Sequence, residues 1–372
     1  MKIKAILFLS LLLLFACSKA GHQKIASVSV YSDHPSVNNN SPKIILIIGD
    51  GMGLEQISAF TFSNKQINAF ERFDTNGFQK TKSSDDLITD SAASATAISS
   101  GIKTKNKYLG VDSSGHSMET ILEKASRKGI ATGMVVSSTI VHATPAAFVS
   151  HINNRDSYEA IAADLLDSGC DVLIGGGQRY FTRRKTDSLN LENELVKRGY
   201  TVTDFFQNDP DHYNFNSLQK LVFFTADGDP LPATAGRSYM SHCSIEMLDM
   251  LNKKNSGIFA MIEGSQIDWG GHANDLKYVL AEMEDFNQII NSVMDWAIRD
   301  QHTTVIVTAD HETGGMSILN GSKRNNLKVN FATTSHTGVL IPVFAYGPGA
   351  ESFSGIYENT ELYQKMSKIL FK

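Results

Sequence analysis

KIILIIGDG, residues 43–51, sets five branched apolar residues in a row directly before Gly49 and Asp50. A strand with one wet face alternates apolar and polar residues, whereas a strand covered on both faces does not. The stretch therefore reads as a fully buried strand of a parallel sheet that ends in a charge. The pattern returns in ATGMVVSS (131–138), CDVLIGGG (170–177), KLVFFTA (220–226), GIFAMIEG (257–264), TTVIVTAD (303–310) and VLIPVFAYGPG (339–349). Helical patterns lie between, as in SMETILEKASRKG (117–129) and RDSYEAIAADLLDSG (155–169). The clearest runs from Leu276 to Ile298, with Val279, Met283, Phe286, Ile290, Val293 and Ala297 on one side. This alternation predicts an α/β fold, a doubly wound and mostly parallel central sheet with helices on both faces. Residues 180–240 carry weaker patterns and read as an insertion.

Ligands of such sheets bind beyond the carboxyl ends of the strands. Asp50 follows the first run. Glu263 ends GIFAMIEG, and Asp268 and His272 come next in IDWGGH. Asp310 and His311 follow TTVIVTA, and His336 shortly precedes VLIPVFAYG. Any one of these alone reads best as a capping aspartate or a surface histidine. Together they place charged groups at the ends of buried strands, where an unpaired charge is costly and a metal ion would satisfy all of them. His with Asp and no cysteine suits catalytic zinc, and all-oxygen ligands suit magnesium. The spacing of Asp268 and His272 fits one helical turn, but Gly270-Gly271 between them fits a loop equally well.

LITDSAASATAISSGIK, residues 87–103, is a helix pattern of small residues opened by Asp90-Ser91. Ser91 could be a nucleophile activated by metal and facing the positive end of the helix. Read in isolation, Asp90 or Ser91 is an N-cap. The small residues either leave room for metals behind Ser91 or serve close helix packing. Arg155 could clamp two phosphate oxygens, although most arginines form exposed ion pairs.

The 372 residues are 42% hydrophobic and 20% charged, with formal charge −5, which is ordinary for a globular chain. No basic block stands out, so nucleic-acid binding is not expected. MKIKAILFLSLLLLFAC opens with lysines and an apolar run and reads as a secretory signal over residues 1–16. Leu14-Phe15-Ala16-Cys17 resembles the lipobox of a bacterial lipoprotein. The expectation is an exported protein, periplasmic or anchored to a membrane (the outer one by preference) through lipid on Cys17. Residues 17–41 read as a tether, and residues 42–372 as one catalytic domain. Cys170 and Cys243 carry no geometric hint of pairing, and Cys170 reads as a small buried residue.

GDGMG (49–53), TDSAASATA (89–97), HATPAA (142–147), EGSQIDWGGHAND (263–275), TADHETGG (308–315) and SHTG (335–338), in this order, resemble the alkaline phosphatase family. The resemblance spans nearly the whole chain after the tether. It implies hydrolysis of small phosphate monoesters through a phosphoserine on Ser91, with two Zn2+ and one Mg2+. Asp268, His272 and His336 would hold the first zinc, and Asp50, Asp310 and His311 the second. Asp50, Thr144 and Glu263 would hold the third metal, and Arg155 the phosphate. His142 stands where many bacterial members carry aspartate, which opens the third site to zinc. Trp269 stands where others carry lysine or histidine, and it cannot supply their charge to phosphate. The segment 312–335 is short for the family's crown, although the resemblance also implies a homodimer. Two other readings are a phosphodiesterase of the same superfamily and a non-catalytic lipoprotein that binds metal or phosphate.

Overall fold

A computed structural model of the chain describes residues 41–63, 68–215, 219–324 and 326–371. The signal segment, Cys17 and the tether up to residue 40 lie outside the described residues. In chain order the strands are β1 (Lys43–Gly49), β2 (Thr75–Lys80), β3 (Ala131–Thr139), β4 (Val172–Gly176), β5 (Thr201–Asp204), β6 (Leu221–Phe224) and β7 (Ile258–Gly264). Then come β8 (Thr303–Thr308), β9 (Glu312–Thr313), β10 (Met316–Ile318), β11 (Val329–Phe331), β12 (His336–Thr337), β13 (Ile341–Tyr346) and β14 (Gly355–Glu358).

Ten of them form one sheet in the order β14-β2-β13-β8-β1-β7-β3-β4-β6-β5. Its centre, β8-β1-β7-β3-β4, pairs parallel throughout. Every residue of β1 is buried, because its side chains feed two cores in turn. Ile44, Leu46 and Ile48 pack into one, and Ile45 and Ile47 into the other. Both faces of the sheet are thus covered, as the unbroken apolar run requires. Lys43, at the start of β1, is buried and paired with Asp300. The long helix Leu276–Asp300 covers one face, with Val279, Met283, Phe286, Ile290 and Val293 buried.

VLIPVFAYGPG departs from the parallel reading. Its strand β13 runs antiparallel to both neighbours, β8 and β2. A parallel return needs a crossover, usually a helix. The described residues between β8 and β13 form only short strands and turns. Within residues 180–240, β5 and β6 add two parallel strands to the edge of the same sheet.

Cys170 and Cys243 are both unpaired and buried. Cys170 belongs to the core beneath Ile44 and Cys243 to the core beneath Ile45, so the sheet stands between them.

Candidate active site

The carboxyl ends of the central strands gather the polar residues. Asp50 follows β1, Glu263 lies in β7, and Asp310 and His311 follow β8, all fully buried. Asp268 and His272 occupy the helix Ile267–His272, so the helical reading of that spacing holds. Its two glycines let other chain segments come close. A Cβ on Gly271 would lie 2.8 Å from the Thr313 carbonyl oxygen, and one on Gly270 2.8 Å from the Val279 nitrogen. Gly51 has φ +72°, and a Cβ there would lie 2.6 Å from the Asp268 Cα. His336 comes from β12, which pairs with β9 and so swings back beside His311.

Three sets of donor atoms converge: Asp268 with His272 and His336; Asp50 with Asp268 and His311; Asp50 with His142 and Glu263. Asp268 thus stands between the first two sets. Asp310 lies beside the second, with its carboxylate 3.2 Å from His311 Nε2. Thr144, fully buried, lies at the third beside the Glu263 carboxyl.

The histidines are aimed. His272 Nδ1 donates to the Thr334 carbonyl at 2.6 Å, and His336 Nδ1 to the Thr89 carbonyl at 2.8 Å. Those bonds turn both Nε2 atoms to one point, 3.3 Å apart, with the Asp268 carboxylate 3.3 Å from that of His272. Fixing one ring nitrogen to a backbone carbonyl is how a metal-binding histidine is oriented.

The fit to cations rests on orphaned atoms. Both Asp50 oxygens, one oxygen each of Asp310 and Glu263, and His142 Nδ1 are buried without a hydrogen-bond partner. Buried polar groups are almost always satisfied, so a cluster of exceptions marks missing partners. The electrostatics agree. Burial, with Asp310, Asp268 and Glu263 nearby, pushes the Asp50 carboxyl well above its ordinary value. Burial pushes Glu263 up to about 8, and burial with the Asp268 charge pushes Asp310 up to about 6. Asp268 is the exception: burial opposes ionisation, but the bond from His272 and the nearby imidazoles outweigh it and hold the group ionised. Burial, helped by the Arg155 charge, lowers His142 to about 3, so its ring is neutral and can coordinate. Carboxylates this crowded ionise together only beside cations. The donor set fits divalent metals.

Ser91 is the first residue of the helix Ser91–Ser100, with Oγ 3.2 Å from His311 Nε2. Asp90 is the N-cap and accepts the Ala93 N–H at 2.9 Å. It also holds Arg155, whose NH1 lies 3.1 Å from Asp90 Oδ2. The cap and the hold on Arg155 therefore share one residue. The small residues behind Ser91 are explained by packing. All ten residues of the helix are buried, and the Ser94, Thr96 and Ser99 hydroxyls donate to the carbonyls of Asp310, Tyr108 and Ala147. Trp269 stands edge-on to His142, with ring centroids 6.2 Å apart.

Two residues were given no role by the sequence reading: Thr313, and Glu312, which follows His311 at the end of the TTVIVTA strand. Thr313 donates to Asp268 and lies 3.3 Å from His311 Nδ1. Glu312 accepts from Gln56 at 2.9 Å and from Thr337, which pins β12 and hence His336. Both stand in DHET, directly after His311, and that adjacency was the one available signal.

A profile described as alkaline phosphatase matches residues 41–324 and 317–371. Alkaline phosphatase 3 of Bacillus subtilis is 32% identical over 454 aligned residues, covering 99% of this chain and 97% of that one. Escherichia coli alkaline phosphatase is 28% identical, over 94% of this chain and 89% of its own length. The solved alkaline phosphatase of the Antarctic bacterium TAB5 is 40% identical, with TM-score 0.84, over 90% of this chain and 99% of that one. Structures also exist of two of its variants, a histidine replaced by aspartate or by glutamate, with Mg bound in the M3 site.

Proposed function

The chain belongs to the alkaline phosphatase family and is a metal-dependent hydrolase of phosphate monoesters, and from that premise we propose that Ser91 is its nucleophile. The observation that carries the assignment is the Ser91 hydroxyl, set at a helix N-terminus against three converging sets of metal donors, several of whose atoms are buried and unsatisfied. Asp268, His272 and His336 would hold one zinc, and Asp50, Asp310 and His311 a second. Asp50, Glu263 and Thr144 would hold a magnesium, with His142 letting zinc compete there. The magnesium in the M3 site of the two TAB5 variants, where a carboxylate replaces histidine, supports that competition. Bound divalent cations supply the charge that activates a hydroxyl and steadies the attacking and leaving oxygens of an in-line displacement.

The chain's own residues do the rest. Ser91 Oγ forms a bond to phosphorus as the bond to the leaving alcohol breaks, and the positive helix end favours the dianion held there. Arg155 orients the phosphoryl oxygens. Asp90 takes its NH1, and a guanidinium carries further N–H groups for two oxygens. Water then attacks the phosphoserine, releasing inorganic phosphate and restoring the Ser91 hydroxyl. Trp269 leaves the phosphate without the cation that lysine or histidine would offer.

The test is hydrolysis of p-nitrophenyl phosphate at alkaline pH by protein reloaded with zinc and magnesium. Ser91→Ala should lower kcat by about 10³-fold or more, as loss of a nucleophile does in other hydrolases. Turnover within tenfold of the parent, on the order of 1 kcal/mol, would remove Ser91 from that role.

We also infer export and lipid attachment at Cys17 from residues 1–17. Palmitate labelling in cells should disappear with Cys17→Ser. No helix among the described residues is long and apolar enough to cross a membrane. The family resemblance further suggests a homodimer, which sedimentation equilibrium would detect.

A further inference from the structure

Directly after Arg155 the chain builds a cavity. A cleft of about 730 Å³ opens between residues 156–160 and residues 179–187. Its first wall begins at the residue after Arg155. The Arg155 charge acts on the Tyr158 phenol, opposing the rise that burial causes, so the cleft lies within electrostatic reach of the guanidinium.

The walls are constructed. The Tyr158 and Tyr180 rings pack with centroids 5.0 Å apart, and the Arg179 guanidinium lies 5.6 Å from the Tyr180 ring. The opposite wall is tied down by Glu159. Its carboxylate accepts the backbone N–H groups of Lys185 and Thr186, each at 2.8 Å, and the Thr186 hydroxyl at 2.5 Å. Arg184 donates to the Glu159 carbonyl at 2.6 Å. A rigid, aromatic cavity of this size is typical of small-molecule sites, which run to about 300–1,000 Å³.

Charge narrows the ligand. Arg184 is bonded to Asp187 at 2.5 Å, and Arg183 and Arg179 share Asp227. Two arginines on one aspartate leave one positive charge and Lys185 a second, against the carboxylates of Glu159 and Asp156, the latter 3.7 Å from Lys107 outside the lining. The cleft offers little net charge for a second phosphate. It offers aromatic faces, a guanidinium plane and hydroxyls, the groups that hold a neutral planar ring with hydrogen-bonding edges.

We propose that this cleft is a leaving-group subsite, and that it favours phosphate monoesters of nucleosides over those of small alcohols. The proposal rests on Ser91 and Arg155 being the phosphoryl-transfer residues. The ring of the leaving nucleoside lies against Tyr180 and Arg179 while its phosphate lies at Arg155. A small alcohol such as glycerol does not reach the cleft and gains nothing from it.

The experiment compares kcat/KM for adenosine 5′-monophosphate and glycerol 3-phosphate on metal-loaded protein. Two variants are used: Tyr180→Ala, which removes a ring, and Ala160→Trp, which fills the cleft from an exposed helix position. Each should lower the nucleotide-to-glycerol ratio by about fivefold or more, the scale of a lost ring stack. Adenosine should inhibit adenosine 5′-monophosphate hydrolysis competitively in the parent and weakly in both variants. A ratio within about twofold of the parent in both folded variants, a change of well under 1 kcal/mol, would overturn the subsite, as would absence of adenosine inhibition in the parent. Ser91→Ala run alongside separates the two assignments. If it still turns over both substrates, the nucleophile assignment falls, and the ratio judges the cleft by itself.

Discussion

Asp90 shows how much one side chain can hold. It caps the helix that carries Ser91, accepts the Lys107 backbone N–H at 3.0 Å and anchors Arg155. Asp90→Ala should cost about 1 kcal/mol of stability through the lost cap. It should also raise KM for p-nitrophenyl phosphate about tenfold, because Arg155 loses its charged partner; urea unfolding and steady-state kinetics read the two effects apart. His151 works away from the site. Its Nδ1 faces the Gly110 carbonyl at 2.7 Å and its Nε2 the Glu123 carboxylate at 2.8 Å, so both nitrogens donate and the ring is charged. The Glu123 bond raises the imidazole above its ordinary value. Burial works to raise Glu123, but the bonds from His151 and Thr120 outweigh it and lower the group. The histidine contribution is complete below about pH 6.5 and lost as pH rises through the raised value. The carboxylate contribution is present above about pH 4.5 and lost on acidification. His151→Ala should therefore lower the urea midpoint more at pH 5.5 than at pH 9, and equal losses at both would refute the charged pair. At this scale the sequence disclosed the charges at strand ends more readily than the side chains that orient them. Asp50 and Asp310 stand out against apolar strands, whereas the contact of Thr313 with Asp268 depends on a partner far away in the chain.

The helix Ser91–Ser100 depends on being small. It is buried on all sides, against the helices Thr360–Leu370 and Ala143–Ala146. Ala95 is fully buried there. Ala95→Leu should therefore cost about 1–3 kcal/mol by overpacking, measured by urea unfolding, and it should lower activity if the helix start shifts. Unchanged stability would mean the packing has slack. The central strands were legible because burial on both faces leaves an unbroken apolar run. β2, β5 and β14 were not, because strands at or next to the ends of the sheet are short and partly wet; TNGFQK shows only two buried positions. The direction of β13 was equally hidden, since an apolar run does not say how the chain arrives at it.

Across the molecule, the proposed ligands come from nearly the full length of the chain, from Asp50 to His336, and meet at the carboxyl ends of the central strands. Metal should therefore stabilise the whole fold. A cation at 100 times its dissociation constant contributes about 2.7 kcal/mol, so a chelator should lower Tm by several degrees and restored zinc should recover it. An unmoved Tm would argue that these donors hold no ion. The doubly wound architecture was readable from strand–helix alternation, while the cleft beside Arg155 was not, since its walls come from two separate stretches. The placement of the two described thiols carries a last consequence. Cys170 and Cys243 lie in different cores, each with its sulfur donating to a backbone carbonyl at 3.3 Å. The catalytic body thus matures without oxidative folding machinery, and a reductant should leave both its melting and its turnover where they were.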